Sequence, residues 1–256
     1  METQGRRKWE VIYGIQPVRE ALRSKDGRVQ KLLFSEGRGG TPLKEILAMA
    51  GQQGIPVQRQ VRADLDLLTR TRSHQGVAAL IARRHLWELE DLVREVREKH
   101  PISVLLLLDS VVDPRNLGAL LRSAEAFGVQ GVISTIWRSA PLSSVVAKTA
   151  AGALEHLRIS QVTNLYEAIR YLKEQGFWVI GAEAGAATTC DSWDFSPPTA
   201  LVLGGEGKGL RPRVRNSCDV LLSIPLSGQL SSLNVAVAAG ILFYEIWRQH
   251  NGQKKY

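Results

Sequence analysis

The residues with the clearest chemical potential in this chain lie in a glycine-rich turn near the carboxyl terminus. Residues 203–210 have the sequence LGGEGKGL and follow a short apolar run, residues 199–203. Four glycines in six positions let the backbone approach a ligand closely, and they leave only Glu206 and Lys208 between them. Packing alone does not require a carboxylate here, which indicates a binding or catalytic turn. The alternative is a tight turn whose two charges are incidental.

A second candidate loop lies between an apolar run at residues 220–223 and a long apolar helix that begins near residue 234. This loop, residues 224–234, has the sequence IPLSGQLSSLN. Both apolar runs have the length of buried strands, and each stops at a loop. Ligands of open α/β sheets bind outside the carboxyl ends of the strands, so we expect the two loops to emerge together and form one site.

Two common glycine motifs do not fit the turn. A Walker A loop would need glycine at position 202 and Ser or Thr at 209, where this chain has Val202 and Gly209. A dinucleotide fingerprint would need the spacing G-x-G-x-x-G, whereas the turn has G-x-G-x-G. The sequence therefore supports neither ATP hydrolysis nor nicotinamide chemistry.

The elements that must position these loops follow from the alternation of strand-like and helix-like segments. Residues 9–83 predict a small α/β module, with strands at 9–13, 29–34, 55–61 and 76–82. A highly charged amphipathic stretch follows, and residues 85–101 are predicted to be a linker with a helix inside it. The continuous apolar run 104–108 then predicts a strand covered on both faces, in a larger α/β unit that spans residues 102–256.

Further helices and strands are predicted within the larger unit. They are a helix over 117–127, a strand over 131–136, a helix over 143–154, a strand over 177–182 and a loop over 183–198. Asn164 with Glu167 three residues later predicts a capping box at the start of another helix, and Gly176 predicts its end.

Composition restricts the class of protein. Of the 256 residues 44% are hydrophobic, which suffices for one or two ordinary cores, and no apolar stretch has the length of a membrane span. No secretory signal is evident at the amino terminus, so a cytoplasmic protein is expected. Cys190 and Cys218 lack a metal-ligand spacing and the five histidines are scattered, so we expect neither a disulfide nor a metal site.

The net charge of +8 is concentrated in the first third of the chain. Residues 1–84 hold sixteen Lys and Arg against eight Asp and Glu, whereas the remaining residues hold seventeen of each. A positive field on one part of a protein favours a polyanionic partner. We therefore expect the first module to bind nucleic acid; the alternative is that the charge serves solubility.

Three separated segments resemble the motifs of one known family. They are residues 113–128, with the sequence DPRNLGALLRSAEAFG, the turn at 204–210 and the loop at 224–234. The patterns N-x5-R-x4-F-G, G-G-E-G-x-G and I-P-L…S-S-L-N, in this order, resemble the SpoU (TrmH-like) RNA 2′-O-ribose methyltransferases of the SPOUT superfamily. The branch that acts on guanosine in 23S ribosomal RNA is the most similar, because residues 13–18 and 74–77 look like the ends of its amino-terminal module.

The resemblance implies an α/β fold with two domains. A knotted (trefoil) SPOUT methyltransferase domain, residues 102–256, would follow a small L30e-like RNA substrate-binding domain, residues 1–84. The family also implies a homodimer and S-adenosyl-L-methionine as the methyl donor. The positions that match the backbone groups holding the donor are Gly204, Ile224 and Leu233, with Glu206 nearby.

The resemblance also indicates which residues would act on the RNA. Arg122 matches the arginine that has been proposed as the general base of the family. A guanidinium resists deprotonation, and a nearby phosphate favours its charged form, so Arg122 could instead clamp the phosphate and orient the hydroxyl. In a dimer, Arg122 could serve the partner's site. The other matching polar positions, which would fix the ribose, the turn and the arginine, are Asn116, Glu206, Ser232 and Asn234.

Each of these residues has an ordinary structural alternative. Arg122 and Glu125 are three positions apart and could form a pair on the surface of a helix. Asn116 could stabilise a first helical turn, and Ser232 could be an N-cap. Asn234 is harder to explain by packing alone, because an unpaired amide is costly at the start of an apolar helix.

The predicted function is S-adenosylmethionine-dependent methylation of a ribose 2′-hydroxyl in RNA, with a guanosine in the P-site loop of 23S ribosomal RNA as the target. A tRNA enzyme that modifies the D-loop guanosine is the alternative with the same chemistry, although that branch resembles the catalytic domain alone. A non-catalytic RNA-binding factor for ribosome assembly is the alternative from another class. The intact polar positions argue against this last alternative.

Overall fold

The computed structural model describes residues 9–23, 28–35, 40–82, 85–207 and 209–251, with the backbone alone for residues 144 and 155. Residues 1–8 and Lys208, on which parts of the sequence prediction depend, lie outside the described residues. The chain divides into two compact units, Met1–His85 and Leu86–Tyr256. None of the described helices is long and apolar enough to cross a membrane.

The first unit is a four-stranded sheet with helices on both faces. Its strands are β1 (Trp9–Tyr13), β2 (Val29–Phe34), β3 (Val57–Arg59) and β4 (Val77–Ala82), in the order β1-β4-β2-β3. Its helices are α1 (Ile15–Arg23), α2 (Gly40–Gln52) and α3 (Arg62–Thr69). Val77 and Ala79 of β4 pack with α1 and α2, whereas Ala78 packs with Leu65 of α3. This unit is the small α/β module that the sequence predicts, with a shorter third strand.

The second unit is built on a parallel sheet of seven strands. In chain order these are β5 (Val104–Asp109), β6 (Gly131–Thr135), β7 (Arg158–Val162), β8 (Trp178–Ala182), β9 (Thr188–Thr189), β10 (Thr199–Gly204) and β11 (Val220–Ser223). Their order across the sheet is β7-β6-β5-β10-β8-β11-β9, and every neighbouring pair is parallel. The loops that follow β10 and β11 therefore emerge at the same edge, as predicted.

Helices cover both faces of this sheet. They are α4 (Leu89–Lys99), α5 (Pro114–Ala126), α6 (Ser144–Ala150), α7 (Leu165–Glu174), α8 (Pro212–Arg215) and α9 (Val235–Asn251). Leu106 and Leu108 of β5 belong to the core cluster that includes residues of α5, α6 and α9, whereas Leu105 and Leu107 belong to the cluster that includes residues of α4 and α7. The continuous apolar run of β5 thus reflects burial on both faces.

Several elements differ from the sequence prediction. The helix expected inside the segment 85–101 is present as α4, but it is not part of a linker, because Leu92 of this helix is fully buried in the core of the second unit. The helix predicted over 143–154 ends at Ala150, because Ala151 and Gly152 adopt left-handed conformations; a 3-10 turn, Ala153–Glu155, follows. The predicted loop 183–198 contains the short strand β9.

Two further differences concern β7 and the start of α7. The sequence does not predict β7, because its residues, RISQV, have little apolar character. The N-cap part of the predicted capping box is confirmed, since the Asn164 side chain accepts a hydrogen bond from the Tyr166 N–H at 3.1 Å, but among the described residues Glu167 does not return a bond to the Asn164 N–H. Glu167 forms an ion pair with Arg170 at 2.9 Å.

Candidate active site

The glycine-rich turn closes tightly on itself and on the end of β5. Gly204, the last residue of β10, lies in register with Asp109, the last residue of β5. A Cβ atom on Gly204 would lie 2.2 Å from the carbonyl carbon of Gly209, and one on Gly205 would lie 2.1 Å from the carbonyl oxygen of Ser110. Real Cβ atoms essentially never approach other atoms to less than 3.0 Å, so both positions require glycine.

The outer part of the turn is open to a ligand. Gly207 and Gly209 have positive φ values of 74° and 61°, and apart from their neighbours in the chain no described residue lies within 4 Å of a Cβ built on either. The Gly205 N–H donates to the Asp109 carbonyl at 2.8 Å, and the Gly209 N–H donates to the Gly205 carbonyl at 3.1 Å. Glu206 is exposed and forms no hydrogen bond or ion pair with the residues that the structure describes. The turn therefore combines a fixed backbone with a carboxylate that no described residue pairs.

A buried carboxylate fixes the residues that follow the turn. Asp109 has no exposed surface, and it accepts hydrogen bonds from the Arg211 backbone N–H at 2.8 Å and from Arg211 Nε at 2.5 Å. A buried charge is costly unless it is paired and hydrogen-bonded, so Asp109 and Arg211 hold each other in place. The sequence prediction gives Asp109 no role. The signal that could have revealed it is a carboxylate at the end of a strand buried on both faces.

Two asparagines join the first and third segments. Asp113 caps α5 by accepting from the Arg115 N–H at 2.6 Å, which places Asn116 in the first turn of this helix. Asn234 accepts from the Ala236 N–H at 2.9 Å, and its amide nitrogen donates to Asn116 Oδ1 at 3.2 Å. The fold thus brings together two side chains that are 118 positions apart, and the amide of Asn234 is paired.

The rest of the third segment is exposed. Ile224 packs partly buried against the core, whereas residues 225–233 are exposed. Ser232 is not the residue whose side chain caps α9, and it forms no hydrogen bond with any residue in the described part of the chain. Leu233 is 37% exposed. Exposed apolar residues beside an open polar turn suit a ligand that has both polar groups and apolar surface.

Arg122 forms no hydrogen bond with the other candidate residues that the structure describes. It is exposed on α5, six positions after Asn116, which at about 3.6 residues per turn places the two side chains on different sides of the helix. Its guanidinium forms no hydrogen bond or ion pair with any described residue, so the alternative pair with Glu125 is not formed. The charge of Arg122 is therefore available to an anion.

The two cysteines are free thiols that burial keeps protonated at neutral pH. Burial raises the pKa of Cys218 to about 12, and it also raises the pKa of Cys190. A protonated thiol is a poor nucleophile and a poor metal ligand. Within the described ranges, no group of His, Cys, Asp and Glu is arranged to hold a metal ion.

Both units of the chain match family models. Residues 103–244 match the SpoU rRNA Methylase family. Residues 11–87 match the family described as RNA 2′-O ribose methyltransferase substrate binding. The two matches follow each other in the order that the sequence motifs predict.

Individual relatives match over most of the chain. The chain is 38% identical to the Bacillus subtilis (strain 168) protein YacO, whose name places it in the TrmH family of tRNA/rRNA methyltransferases, over 94% of this chain and 96% of that protein. The crystal structure of an AdoMet-bound rRNA methyltransferase from Sinorhizobium meliloti has a TM-score of 0.69 and 25% identity, over 95% of this chain and 88% of that one. A TrmH/SpoU tRNA modifying enzyme from A. aeolicus has a TM-score of 0.55 and 27% identity, over 64% of this chain and 85% of that one.

Proposed function

The chain belongs to the SpoU rRNA methylase family and is an RNA methyltransferase of the TrmH/SpoU type, and we propose that it methylates the 2′-hydroxyl of a guanosine in the P-site loop of 23S ribosomal RNA. The family uses S-adenosylmethionine as the methyl donor, and its SPOUT fold implies a trefoil knot. The hydrogen bond between Asn234 and Asn116, at 3.2 Å, carries the proposal. It joins the first and third segments, which follow β5 and β11 at the same edge of the sheet as the turn after β10.

The presence of a separate RNA-binding part in the chain supports ribosomal RNA as the substrate. We assign RNA capture to residues 1–84 and methyl transfer to residues 102–256, with α4 of the segment 85–101 packed into the core of the second unit. The first part carries the whole net charge of the chain, and residues 11–87 match a substrate-binding family. The tRNA modifying enzyme from A. aeolicus corresponds to 64% of this chain, which favours an rRNA target over tRNA.

The turn and the third segment fit the methyl donor. In our proposal, backbone groups of Gly204, Ile224 and Leu233 hold the donor, and Glu206 lies beside them. The close packing of Gly204 fixes the main chain, and the open space around Gly207 leaves room for a ligand. When bound, the donor supplies a sulfonium methyl group as the electrophile.

Residues of the protein would position the ribose and its phosphate. A 2′-hydroxyl is a poor acid, so its alignment contributes much of the rate. Arg122 would clamp the RNA phosphate bidentately and orient the hydroxyl, because its guanidinium retains its proton beside an anion. Asn116 and Asn234 orient each other, and the free hydroxyl of Ser232 is available to the ribose.

We also propose a homodimer in which Arg122 serves the site of the partner subunit. Val237, Ile241 and Tyr244 recur at the spacing of one face of α9, and they are 53%, 38% and 50% exposed. The helix α5, which carries Arg122, packs beside α9. An apolar helix face that one chain leaves open favours a second copy, whose own α5 would then lie nearby.

Mapping of ribose methylation in cells that lack the protein tests the proposed target. We expect one 2′-O-methylguanosine to disappear from the P-site loop and to return with the wild-type chain but not with Arg122→Ala. Loss of the 2′-O-methyl group from the D-loop guanosine of tRNA instead would show that the protein is a tRNA methyltransferase. Complete retention of methylation in both RNAs, together with slower ribosome assembly, would assign a non-catalytic role.

A further inference from the structure

An exposed tryptophan stands at the same edge of the sheet as the candidate active site. Trp137 is 72% exposed, and it follows β6, the strand that pairs with β5 on the side away from β10. Two further apolar residues of this region, Ile136 and Val112, are 46% and 62% exposed. Neither the donor site nor the ribose site proposed above uses these side chains.

A hydrogen bond ties the Trp137 loop to the loop that opens α5. The Ala140 N–H donates to the Val111 carbonyl at 2.9 Å. Val111 lies two residues before Asp113, the N-cap of α5, and Asn116 lies in the first turn of that helix. The tryptophan is therefore carried by the loop next to the one that positions Asn116.

Internal hydrogen bonds fix the backbone around Trp137. Thr135 Oγ1 donates to the Trp137 carbonyl at 2.6 Å and lies 2.9 Å from Ser139 Oγ. The Ile136 N–H donates to the Val162 carbonyl at 2.9 Å. An aromatic side chain on a preorganised loop loses little conformational entropy when a ligand binds, which is typical of recognition surfaces.

Two exposed basic side chains lie near the tryptophan in the sequence or on the adjoining helix. Arg138 follows it in the loop, and Arg115 lies in the first turn of α5. Both are exposed, and neither side chain forms a hydrogen bond or ion pair with the described part of the chain. Free guanidinium groups favour phosphate and an exposed aromatic ring favours a base, so the combination fits RNA better than an apolar protein surface.

We propose that Trp137 stacks on an unpaired base of the RNA close to the methylated nucleotide, while Arg138 and Arg115 bind the flanking phosphates. The proposal rests on the function proposed above and adds an RNA contact on the catalytic unit. Single-stranded loops offer unstacked bases to aromatic side chains, whereas bases in a duplex are not accessible in this way. Trp137 would therefore select an open loop over a paired stem.

Binding of the full chain to an unmodified transcript of the 23S rRNA P-site region tests this contact. Stacking of one base on an aromatic ring corresponds to a change of about tenfold in affinity, so Trp137→Ala should raise Kd by about that factor. Trp137→Phe keeps an aromatic ring and should retain most of the affinity. Annealing a complementary DNA strand to the loop should remove the difference between wild type and Trp137→Ala.

Trp178→Ala is the matched control. Trp178 is 45% exposed and begins β8, so it lies at the opposite edge of the sheet. This variant should bind the transcript with the wild-type Kd. Affinity for S-adenosylmethionine, thermal unfolding and sedimentation should be measured for every variant, because a change in these would indicate a structural or dimer role.

Arg138→Ala provides a second test, since it should lower the salt dependence of RNA binding by about one phosphate contact.

An unchanged RNA affinity in both Trp137→Ala and Arg138→Ala overturns the proposal and leaves methyl transfer untouched. Dissociation of a dimer in Trp137→Ala would also overturn it, because a second copy would then cover the tryptophan. If the wild-type chain binds the transcript through Trp137 without methylating it, the proposed reaction fails and the stacking contact stands.

Discussion

Replacement of Gly204 by alanine should disable the donor site while the sheet survives. The added Cβ would lie 2.2 Å from the carbonyl carbon of Gly209, whereas ordinary contact begins at 3.4 Å. The turn must therefore open by about 1.2 Å, the difference between these distances. Its nearest neighbours are backbone atoms of Gly209 and Leu210, so no flexible side chain can move away instead.

The size of this displacement determines how much activity Gly204→Ala is expected to lose. Misplacement of a reacting group by about 1 Å can lower a rate about 100-fold, and we expect that loss in methyl transfer by Gly204→Ala. Affinity for S-adenosylmethionine should fall as well, because the backbone of the turn would hold the donor. Overpacking costs about 1–3 kcal/mol in free energy of unfolding, which corresponds to a decrease of about 2–12 °C in Tm for a unit of this size.

Gly51→Ala is the control for glycine replacement as such. Gly51 lies in α2 and has no positive φ, and outside the backbone of its own helix no described residue lies within 4 Å of a Cβ built on it. Donor affinity is measured by calorimetry, methyl transfer by single-turnover reactions with labelled donor, and folding by circular dichroism. Wild-type donor affinity and rate in Gly204→Ala would refute the inference that this turn holds the donor through its backbone.

The remaining predictions concern an arginine, the basic first part and a buried thiol. Arg122→Ala should abolish methyl transfer with nearly unchanged donor affinity; a strong loss of donor binding in calorimetry would show that its role is misassigned. Deletion of residues 1–84 should weaken RNA binding and flatten its salt dependence in filter-binding titrations, since fewer phosphates are neutralised; an unchanged affinity would remove RNA capture from this part. Burial raises the pKa of Cys218 from 9.0 to about 12. The free energy of unfolding that the protonated thiol contributes is fully present below pH 9.0 and is lost as the pH rises towards about 12, because the thiol of the unfolded state releases its proton first. Urea unfolding should therefore show a smaller fall in the free energy of unfolding over this pH window in Cys218→Ala than in wild type. An identical fall in both proteins would contradict a raised pKa of Cys218.

Local patterns in the sequence predict the elements that are buried along their whole length or packed tightly against backbone. The run at residues 104–108 is apolar throughout because both faces of β5 are covered, and the glycines after β10 mark a turn that tolerates no side chain at Gly204. The end of α6 was not predictable in the same way. It depends on the left-handed conformation of Ala151, a residue whose type does not indicate it.

The contacts within the site were less predictable than its residues. Motif resemblance singles out Asn116 and Asn234, but their hydrogen bond depends on how α5 and α9 pack. The pair of Asp109 and Arg211 joins positions 102 residues apart, and no local pattern indicates which cation would meet the buried carboxylate. Sequence spacing reveals which side chains are unusual, whereas their partners follow from the tertiary fold.

The position of β10 between β5 and β8 determines when the sheet can be completed. A ribosome delivers β5 and β8 before β10, so both strands wait with an open edge until residues 199–204 have emerged. Open strand edges readily pair with other chains, and a nascent chain stalled before residue 199 would therefore be prone to aggregation. Because β10 lies between two strands that precede it in the chain, the unit cannot reach its folded form before residue 204 has emerged.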